Sequence, residues 1–254
     1  MNPQSAIIFG GQLKGHCMDT VLFDLDGTLL PLINSMFIEA YFEVLIKRFS
    51  PLCRSPKALI GAVWQGTGAM MKNVGPQLNR EVFWDAFSCA LGADMRPYEG
   101  EFEDFYTNEF EAVRSVTSPE PLANECIKEL KRRGYTLVLA TNPIFPAVGT
   151  DARITWAGLD KSDFELITTY ENSYACKPNP KYFADILEQI GKTPQDCLMV
   201  GNDVKEDGAA AKLGIPVLLL GDCIIESDES GAERFKRLSF QEFMGFIESL
   251  PILN

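Results

Sequence analysis

Short apolar runs alternate with stretches of helical periodicity along most of the chain. The runs are aliphatic and nearly uninterrupted, which is typical of parallel strands that are covered on both faces. They lie at 21–23, 137–140, 166–167, 198–200 and 217–220. Helical patterns between and after them cover 122–130, 182–190 and 205–213, and a last helix is predicted to begin at Ser239, which forms a capping-box pattern with Glu242. This alternation predicts an α/β fold with a doubly wound, Rossmann-like parallel sheet.

One segment interrupts the alternation, because residues 33–116 show helical patterns only. We interpret this segment as a helical cap inserted into a core formed by residues 19–32 and 117–254. Pro31 and the stretch 118–121 suit hinges at its edges. Aromatic stripes recur along the predicted cap helices, and we interpret them as packing faces rather than ligand contacts. Residues 1–18 are interpreted as an N-terminal extension without a functional role.

Composition and charge narrow the possible partners. The chain has 254 residues, a formal net charge of −12 and 46% hydrophobic residues, so it is long and apolar enough to fold around a core. So acidic a protein repels nucleic acids and anionic membranes. A single histidine, His16, and seven cysteines without a Cys-x-x-Cys pair argue against a zinc site and a disulfide framework. No apolar run is long enough to span a membrane, and a reducing cytoplasm is the expected location.

Two aspartates follow the first apolar run directly, in the segment Asp24-Leu25-Asp26-Gly27-Thr28-Leu29. Open parallel sheets hold their sites outside the carboxyl ends of the strands, so both carboxylates can face one pocket there. Gly27 lets the chain turn where a side chain would clash. Two carboxylates so close repel each other unless a cation lies nearby, and Mg²⁺ prefers oxygen ligands. The segment therefore predicts a site that holds a divalent cation.

Three further segments offer polar side chains near the same predicted edge. Thr141 and Asn142 follow the second strand, where a hydroxyl and backbone N–H groups can hold phosphate oxygens. Lys177 lies in a proline-stiffened turn and supplies a positive charge. Asp203 and Asp207 follow the fourth strand, one helical turn apart. Each has an ordinary alternative when taken alone: a polar turn, a surface lysine, and acidic residues at a helix N-terminus.

The four segments together indicate a function more specifically than any of them alone. Along the chain they supply, in this order, a pair of acids, a hydroxyl group, a lysine and a second pair of acids. In this order they resemble the haloacid dehalogenase superfamily, in its branch of capped, phosphoglycolate phosphatase-like hydrolases. The segment 24–29 matches the opening signature of that family in full, and Thr141, Lys177 and 201–207 match its later motifs. The resemblance covers roughly residues 19–221. The helical segment 33–116 lies where one subgroup of the family carries its cap.

The resemblance implies a phosphatase that acts through a covalent intermediate. Asp24 would attack phosphorus and form an aspartyl-phosphate. Asp26 would protonate the leaving alcohol and then deprotonate the water that hydrolyses the intermediate. The transferring phosphoryl group would be bound by Thr141, Asn142 and Lys177. Catalysis would then depend on positioning and on charge neutralisation.

The resemblance also implies a magnesium ion, held by the Asp24 carboxylate, the Asp26 backbone carbonyl and an acid of the fourth motif. Many family members have aspartate directly after the glycine of that motif, whereas this chain has Asn202 there, followed by Asp203. We therefore assign Asp203 as the third ligand. Asp207 is interpreted as a supporting acid or as the alternative ligand.

Other functions on the same motifs stay open. A dehalogenase is disfavoured, because dehalogenases of the superfamily lack the second aspartate of the signature and need no magnesium, whereas this chain has Asp26 and an acidic fourth motif. A phosphomutase would use the same four motifs. A non-catalytic protein that binds a phosphorylated metabolite is a further alternative, although Asp24 and Asp26 are both intact.

The cap limits the substrate by size and leaves its identity open. A closing cap would exclude large substrates, so we expect a small phosphorylated metabolite. The stretch 66–73 contains glycines and is interpreted as a link between two cap helices that could dip into the site, where Gln65 and Lys72 could touch the leaving group. Solvent exposure is the commoner state of such side chains. Monomer and homodimer both agree with the sequence.

Overall fold

A parallel sheet forms the centre of the molecule. The computed structural model describes residues 18–53, 55–227 and 235–253. Within them six strands, all parallel to their neighbours, pair in the order β3-β2-β1-β4-β5-β6. The strands are β1 (Thr20–Phe23), β2 (Thr136–Leu139), β3 (Leu166–Ile167), β4 (Cys197–Gly201), β5 (Val217–Leu220) and β6 (Lys236–Leu238). The predicted α/β fold class is confirmed, and of the predicted N-terminal extension only Met18 lies within the described residues.

Helices cover the sheet and form the insertion between β1 and β2. The insertion contains α1 (Asn34–Phe49), α2 (Pro56–Lys72), α3 (Asn79–Leu91), α4 (Glu99–Thr107) and a 3-10 helix at Glu109–Val116. The later helices are α5 (Pro121–Arg132), α6 (Ala147–Trp156), α7 (Pro180–Ile190) and α8 (Phe240–Ser249). Among the helices of the described ranges, none is long and apolar enough to cross a membrane.

The two connections between sheet and insertion run side by side. Leu32 and Thr117 form an antiparallel bridge, and the Ser118 N–H donates to the Pro31 carbonyl at 2.9 Å. This pairing brings the entry and the exit of the insertion to one place. We propose these connections as the boundary between a core of residues 19–32 and 117–254 and a cap of residues 33–116.

Local signals explain several helix ends. The capping box predicted at Ser239 and Glu242 is present at the start of α8. Helix α7 starts at Pro180 behind the Asn179 side chain, which accepts from the Lys181 N–H, and it ends at Gly191 in the left-handed conformation. Such caps satisfy backbone groups that have no partner inside the helix.

Two expectations about helices are wrong. The predicted link 66–73 lies almost wholly within α2, which continues to Lys72, and the Gln65 and Lys72 side chains are exposed rather than turned into the site. The predicted helix over 205–213 is a 3-10 helix that begins only at Asp207. The reason is that the Asp203 carboxylate accepts from the N–H groups of Lys205 and Glu206 and holds the preceding residues in a turn.

Strand register fixes where the site lies. Phe23 stands opposite Leu139 on one side and Val200 on the other, so β1, β2 and β4 end at one edge. Successive strand residues point to opposite faces, and both faces are covered: Phe23 belongs to the larger buried cluster, which includes insertion side chains, and Leu22 to the second cluster, under α7. The residues that follow these three strands are thereby brought together.

Candidate active site

Three of the four predicted motifs meet at the carboxyl edge of the sheet. The Asp24 N–H donates to the Val200 carbonyl at 2.9 Å, and the Ala140 N–H donates to the Phe23 carbonyl at 2.7 Å. Asp24 therefore stands between the ends of β2 and β4. A cavity of about 260 Å³ opens there beneath the helical insertion. The predicted site residues among its lining are Asp24, Asp26, Thr141, Asn142, Asp203 and Asp207.

Lys177 joins two of these motifs through its ammonium group. Its Nζ donates to Asp24 Oδ1 at 2.8 Å and to Asp207 Oδ1 at 2.7 Å, and the residue is fully buried. The surface-lysine alternative is therefore wrong. Burial lowers the pKa of Lys177, but the charges of Asp207 and Asp24 outweigh it and raise that pKa well above its usual value. Lys177 is a fixed positive charge beside the first aspartate.

Asp24 is a buried carboxylate with donors on both oxygens. Lys177 contacts Oδ1, and the Thr28 hydroxyl donates to Oδ2 at 3.1 Å. The pKa of Asp24 is raised to about 7, chiefly by burial; Lys177 opposes this shift, and the neighbouring Asp207 and Asp26 add to it. The ionised form that a nucleophile requires is therefore stabilised further by any additional positive charge at this place.

Asp207 braces the loop after β4 and orients the lysine. Its Oδ2 accepts from the backbone N–H groups of Asn202 and Asp203, both at 2.9 Å, while Oδ1 accepts from Lys177. Gly201 permits this close approach, because a Cβ there would overlap the Asp207 carboxylate. Both oxygens of Asp207 are thus engaged by protein donors.

Asp203 is the more accessible acid of the fourth motif. Its Oδ1 accepts from the N–H groups of Lys205 at 2.7 Å and Glu206 at 2.8 Å, so the predicted capping alternative describes part of its role. The residue is only partly buried and also lines the cavity. Burial raises the pKa of Asp203, whereas its backbone hydrogen bonds lower it.

Asn142 and Thr141 extend from the end of β2. The Asn142 amide donates to Glu206 Oε2 at 2.9 Å, and its carbonyl oxygen accepts from the Lys177 N–H at 3.2 Å. Thr141 is held by its backbone carbonyl, which accepts from the Thr168 hydroxyl at 2.7 Å and the Tyr182 hydroxyl at 2.9 Å. Both residues line the cavity, on the side where the chain leaves the sheet.

Glu206 is a cavity residue that sequence reasoning missed. The pKa of Glu206 is raised to about 7, chiefly by burial; Lys177 opposes this shift, and Asp203 and Asp207 add to it. Asp203 and Asp207 are the predicted acid pair of this segment, and Glu206 lies between them in the sequence. The sequence did contain a signal for Glu206, since it is the third carboxylic acid within the five positions 203–207.

Arg153 is the second missed residue, and it contacts Asp26. Its guanidinium Nη1 forms an ion pair with Asp26 Oδ2, its Nε donates to the Gly149 carbonyl at 3.1 Å, and the group lies 4.3 Å from the centre of the Phe145 ring. Asp26 Oδ1 is buried and has no hydrogen-bond partner among the described residues. Burial raises the pKa of Asp26, and Arg153 and then Lys177 lower it.

Known proteins carry the same organisation. The haloacid dehalogenase-like hydrolase family matches residues 18–214, which is most of the chain. The chain belongs to the haloacid dehalogenase-like hydrolases. The predicted family is confirmed, and with it an enzyme of the hydrolase class on a capped α/β core.

Individual relatives are distant from this hydrolase. The pyrophosphatase PpaX of Bacillus mycoides is 24% identical over 186 residues, covering 73% of this chain and 75% of the relative. The bifunctional riboflavin kinase/FMN phosphatase of Arabidopsis thaliana is 25% identical over 198 residues, covering 78% of this chain and 47% of the relative. The crystal structure of a HAD phosphatase from Thermococcus onnurineus superposes with a TM-score of 0.59 at 20% identity, covering 93% of this chain and all of that one.

The donor set of this hydrolase fits a magnesium ion. No cluster of three or more His, Cys, Asp or Glu side chains with metal-binding spacing occurs in the described part of the chain. Magnesium, however, commonly takes only one or two protein carboxylates and completes its shell with water and phosphate. Asp24 and Asp203 both line the cavity, and burial among like charges raises their pKa values. A cation would relieve that surplus of negative charge.

Proposed function

We propose that this hydrolase is a magnesium-dependent phosphatase that cleaves a small phosphomonoester through an aspartyl-phosphate on Asp24. The contact of Lys177 Nζ with Asp24 Oδ1 at 2.8 Å carries the proposal, because it places a fixed cation beside a buried carboxylate at the cavity. A phosphoryl group that approaches Asp24 would meet this charge. Membership of the hydrolase family supports the reaction class.

The first half-reaction forms the covalent intermediate. A carboxylate oxygen of Asp24 attacks phosphorus, the new O–P bond forms, and the bond from phosphorus to the ester oxygen breaks. Lys177, Thr141 and Asn142 would bind and orient the phosphoryl oxygens. Asp26 gives its proton to the departing oxygen, which leaves as a neutral alcohol.

The second half-reaction regenerates the enzyme. Asp26 accepts a proton from a water molecule, whose oxygen attacks phosphorus, and the bond between phosphorus and Asp24 breaks. Inorganic phosphate leaves, Asp24 is again a carboxylate, and Asp26 is again protonated. Asp26 suits both tasks because Arg153 holds one of its oxygens while Oδ1 has no partner among the described residues.

Magnesium would be held by Asp24, Asp203 and the backbone carbonyl of Asp26, and when bound it supplies positive charge that offsets the charge of the phosphoryl group and of the carboxylates. Asp207 is assigned the supporting role, because all its oxygens already accept from Lys177 and from backbone N–H groups. Asp203 accepts from two backbone N–H groups through Oδ1, and it is more exposed than Asp207.

The related proteins support hydrolysis of a phosphoryl group as the reaction, but they do not point to one substrate. PpaX is named a pyrophosphatase and the Arabidopsis relative an FMN phosphatase, so the relatives differ in what they hydrolyse. Both names describe hydrolysis of a phosphoryl compound, which supports phosphatase action for this chain. We also infer a cytoplasmic location, since the six cysteines of the described residues are all free thiols.

The test is phosphate release from a panel of small phosphomonoesters, with and without magnesium. Wild type should release phosphate only with the metal, and Asp24→Asn should be inactive while it stays folded. Asp85→Asn is the matched control, since Asp85 is 58% exposed and pairs with Arg96 at the surface of the insertion. The proposal would be contradicted if Asp24→Asn still released phosphate, or if wild type released phosphate equally well without magnesium.

A further inference from the structure

The cavity changes character away from the aspartates. Towards the helical insertion its walls are aromatic and aliphatic side chains from α1, α2, α3 and α4 and from the loop before α6. Its aromatic wall includes Phe37, Tyr41, Phe42, Trp64, Trp84 and Tyr106. In a phosphatase the phosphate lies at the aspartates, so this region would receive the leaving group.

The charges around the cavity are unfavourable to a second anionic group. None of the described residues that line it is a lysine or arginine. The two buried cations next to it are already paired: Lys177 with Asp24 and Asp207, and Arg153 with Asp26. A carboxylate or second phosphate on the leaving group would be buried without a counter-charge and near several acids, which is costly.

Hydroxyl-rich leaving groups also find few partners. The hydroxyls of Tyr41 and Tyr106 are hydrogen-bonded to each other at 2.9 Å, so two of the polar groups of the wall already have a partner. The other polar groups on this side are the Asn34 and Thr67 side chains, the Tyr170 hydroxyl and the buried Trp84 indole N–H. A sugar buried here would leave several hydroxyls without hydrogen bonds, and each unsatisfied group costs free energy.

Apolar side chains extend this surface to solvent. Trp64 is 49% exposed and Ile38 is 39% exposed, although both line the cavity. The Phe42 ring lies 5.6 Å from the Trp64 ring, so the wall continues inward from this rim. A ring of the leaving group that enters here would leave water and pack against these apolar side chains, and burial of apolar area is favourable.

We propose that the substrate is a phosphomonoester of an uncharged, ring-bearing and largely apolar alcohol. Pyrophosphate, phosphoglycolate, sugar phosphates and other esters with charged or polyhydroxylated leaving groups are poor substrates. This inference rests on the proposed function for the position of the phosphate. It adds the class of leaving group, which the cavity walls select.

The first test compares three monoesters of alcohols: benzyl phosphate, glycerol 3-phosphate and phosphoglycolate. With magnesium present, kcat/KM should be at least about tenfold higher for benzyl phosphate, which is the scale expected for burying one ring. A higher kcat/KM for either polar ester would overturn the inference. Phosphocholine is a fourth arm, because aromatic walls also bind quaternary ammonium groups. A preference for phosphocholine would overturn the claim that the leaving group is uncharged.

A variant then changes the wall itself. Thr67 lies on α2, is partly buried and lines the cavity, and lysine suits a helix, so Thr67→Lys should fold. It should shift the kcat/KM ratio towards phosphoglycolate by about tenfold, since it provides the missing counter-charge. Gln65→Lys is the matched control, because it adds the same charge to an exposed position of α2. Equal ratios in the two variants would contradict the inference.

Binding separates this inference from the proposed function. Calorimetry with benzylphosphonate and phosphonoacetate on the wild-type chain, with magnesium, needs no turnover. Tighter binding of benzylphosphonate supports the apolar site, and equal or weaker binding overturns it, whether or not the protein hydrolyses any ester. Hydrolysis that needs Asp24 but favours anionic leaving groups would leave the proposed function intact and reject this inference.

Discussion

Arg153 and Asp26 form an ion pair although 127 positions separate them in the sequence. The arginine is fully buried, whereas the aspartate side chain is 26% exposed. The guanidinium is held further by the Gly149 carbonyl and the Thr150 hydroxyl, and it lies over the Phe145 ring. Its orientation is thus fixed from several sides. Arg153 in turn fixes the carboxylate that the proposed mechanism uses for proton transfer.

We expect Arg153→Met to lower kcat by about a hundredfold, the lower end of what a general acid–base group contributes. The reason is that Asp26 would lose the contact that sets its orientation, while the phosphate-binding residues stay in place. KM should change much less than kcat. Arg153→Lys should recover part of kcat. Steady-state kinetics on the best monoester, with the folded fraction measured by circular dichroism, checks this.

A double mutant distinguishes positioning from general support of the fold. In an Asp26→Asn background, Arg153→Met should lower kcat little further, because the group that Arg153 positions is already gone. If the arginine change lowers kcat by the same factor in both backgrounds, the residue acts through the fold and the positioning role is rejected. Chemical denaturation of all four proteins gives the accompanying change in stability.

The sheet and the first motif could be predicted because their signals are local. Aliphatic runs such as 217–220 are explained by burial on both faces, and Asp24 follows such a run directly. The sixth strand, Lys236–Leu238, escaped prediction because it is short, carries two charged residues and lies at the edge of the sheet. Edge strands carry weaker hydrophobic patterns, since one side of the backbone is open.

The pairings of the site could not be predicted, because they depend on tertiary contacts. Lys177 was predicted as a phosphate ligand, but nothing in its neighbourhood indicates that it would also lie against Asp207. Arg153 belongs to α6, a helix that the sequence pattern did not show, and an arginine on a helix is usually exposed. Its burial becomes visible only once α6 is packed against the site.

The two acids of the fourth motif should respond differently to amide substitution. Asp203→Asn keeps a side-chain oxygen for the N–H groups of Lys205 and Glu206, so the fold should be almost unchanged, while the magnesium concentration for half-maximal activity rises at least about tenfold. Asp207→Asn weakens the bond to buried Lys177 and should reduce the free energy of unfolding by about 3 kcal/mol without metal.

Magnesium titrations of activity and urea denaturation in a chelator check these expectations. Asp185→Asn serves as a control, since Asp185 pairs with Lys181 on α7. The assignment of ligand and support would be reversed by the opposite pattern, in which Asp207→Asn mainly weakens magnesium binding and Asp203→Asn mainly destabilises the fold.

Gly27 should not tolerate a side chain. Its φ is +86°, and a Cβ would overlap the Asn202 side chain on the neighbouring loop. Gly27→Ala is expected to reduce the free energy of unfolding by about 2 kcal/mol, because strain in the left-handed region adds to the clash. It should also lower kcat, since Asp26 precedes it. Gly100→Ala is the matched control: its Cβ would meet nothing within 4 Å in α4, and thermal unfolding should show a small stabilisation.

Glu206 should make the metal-free protein less stable as the pH rises. Burial raises the pKa of Glu206 from 4.5 to about 7, so the folded state holds a proton that the unfolded state has released. A group of this kind contributes its full stability below the lower pKa and loses it as the pH passes the higher one. The free energy of unfolding of wild type relative to Glu206→Gln should therefore fall between pH 5 and pH 8, by roughly 1–3 kcal/mol.

Urea denaturation of both proteins in a chelator, at steps across this range, gives the difference directly. Glutamine keeps an oxygen that can accept from the Asn142 amide, so the substitution changes the charge and leaves the contact possible. Glu101→Gln, on the exposed side of α4, should show no such trend. If the free energy of unfolding of wild type relative to Glu206→Gln instead stays constant or rises with pH, Glu206 is ionised in the folded metal-free protein at pH 5. Added magnesium should stabilise the wild type more at pH 8 than at pH 5, because protons and the cation compete for the same cluster of carboxylates.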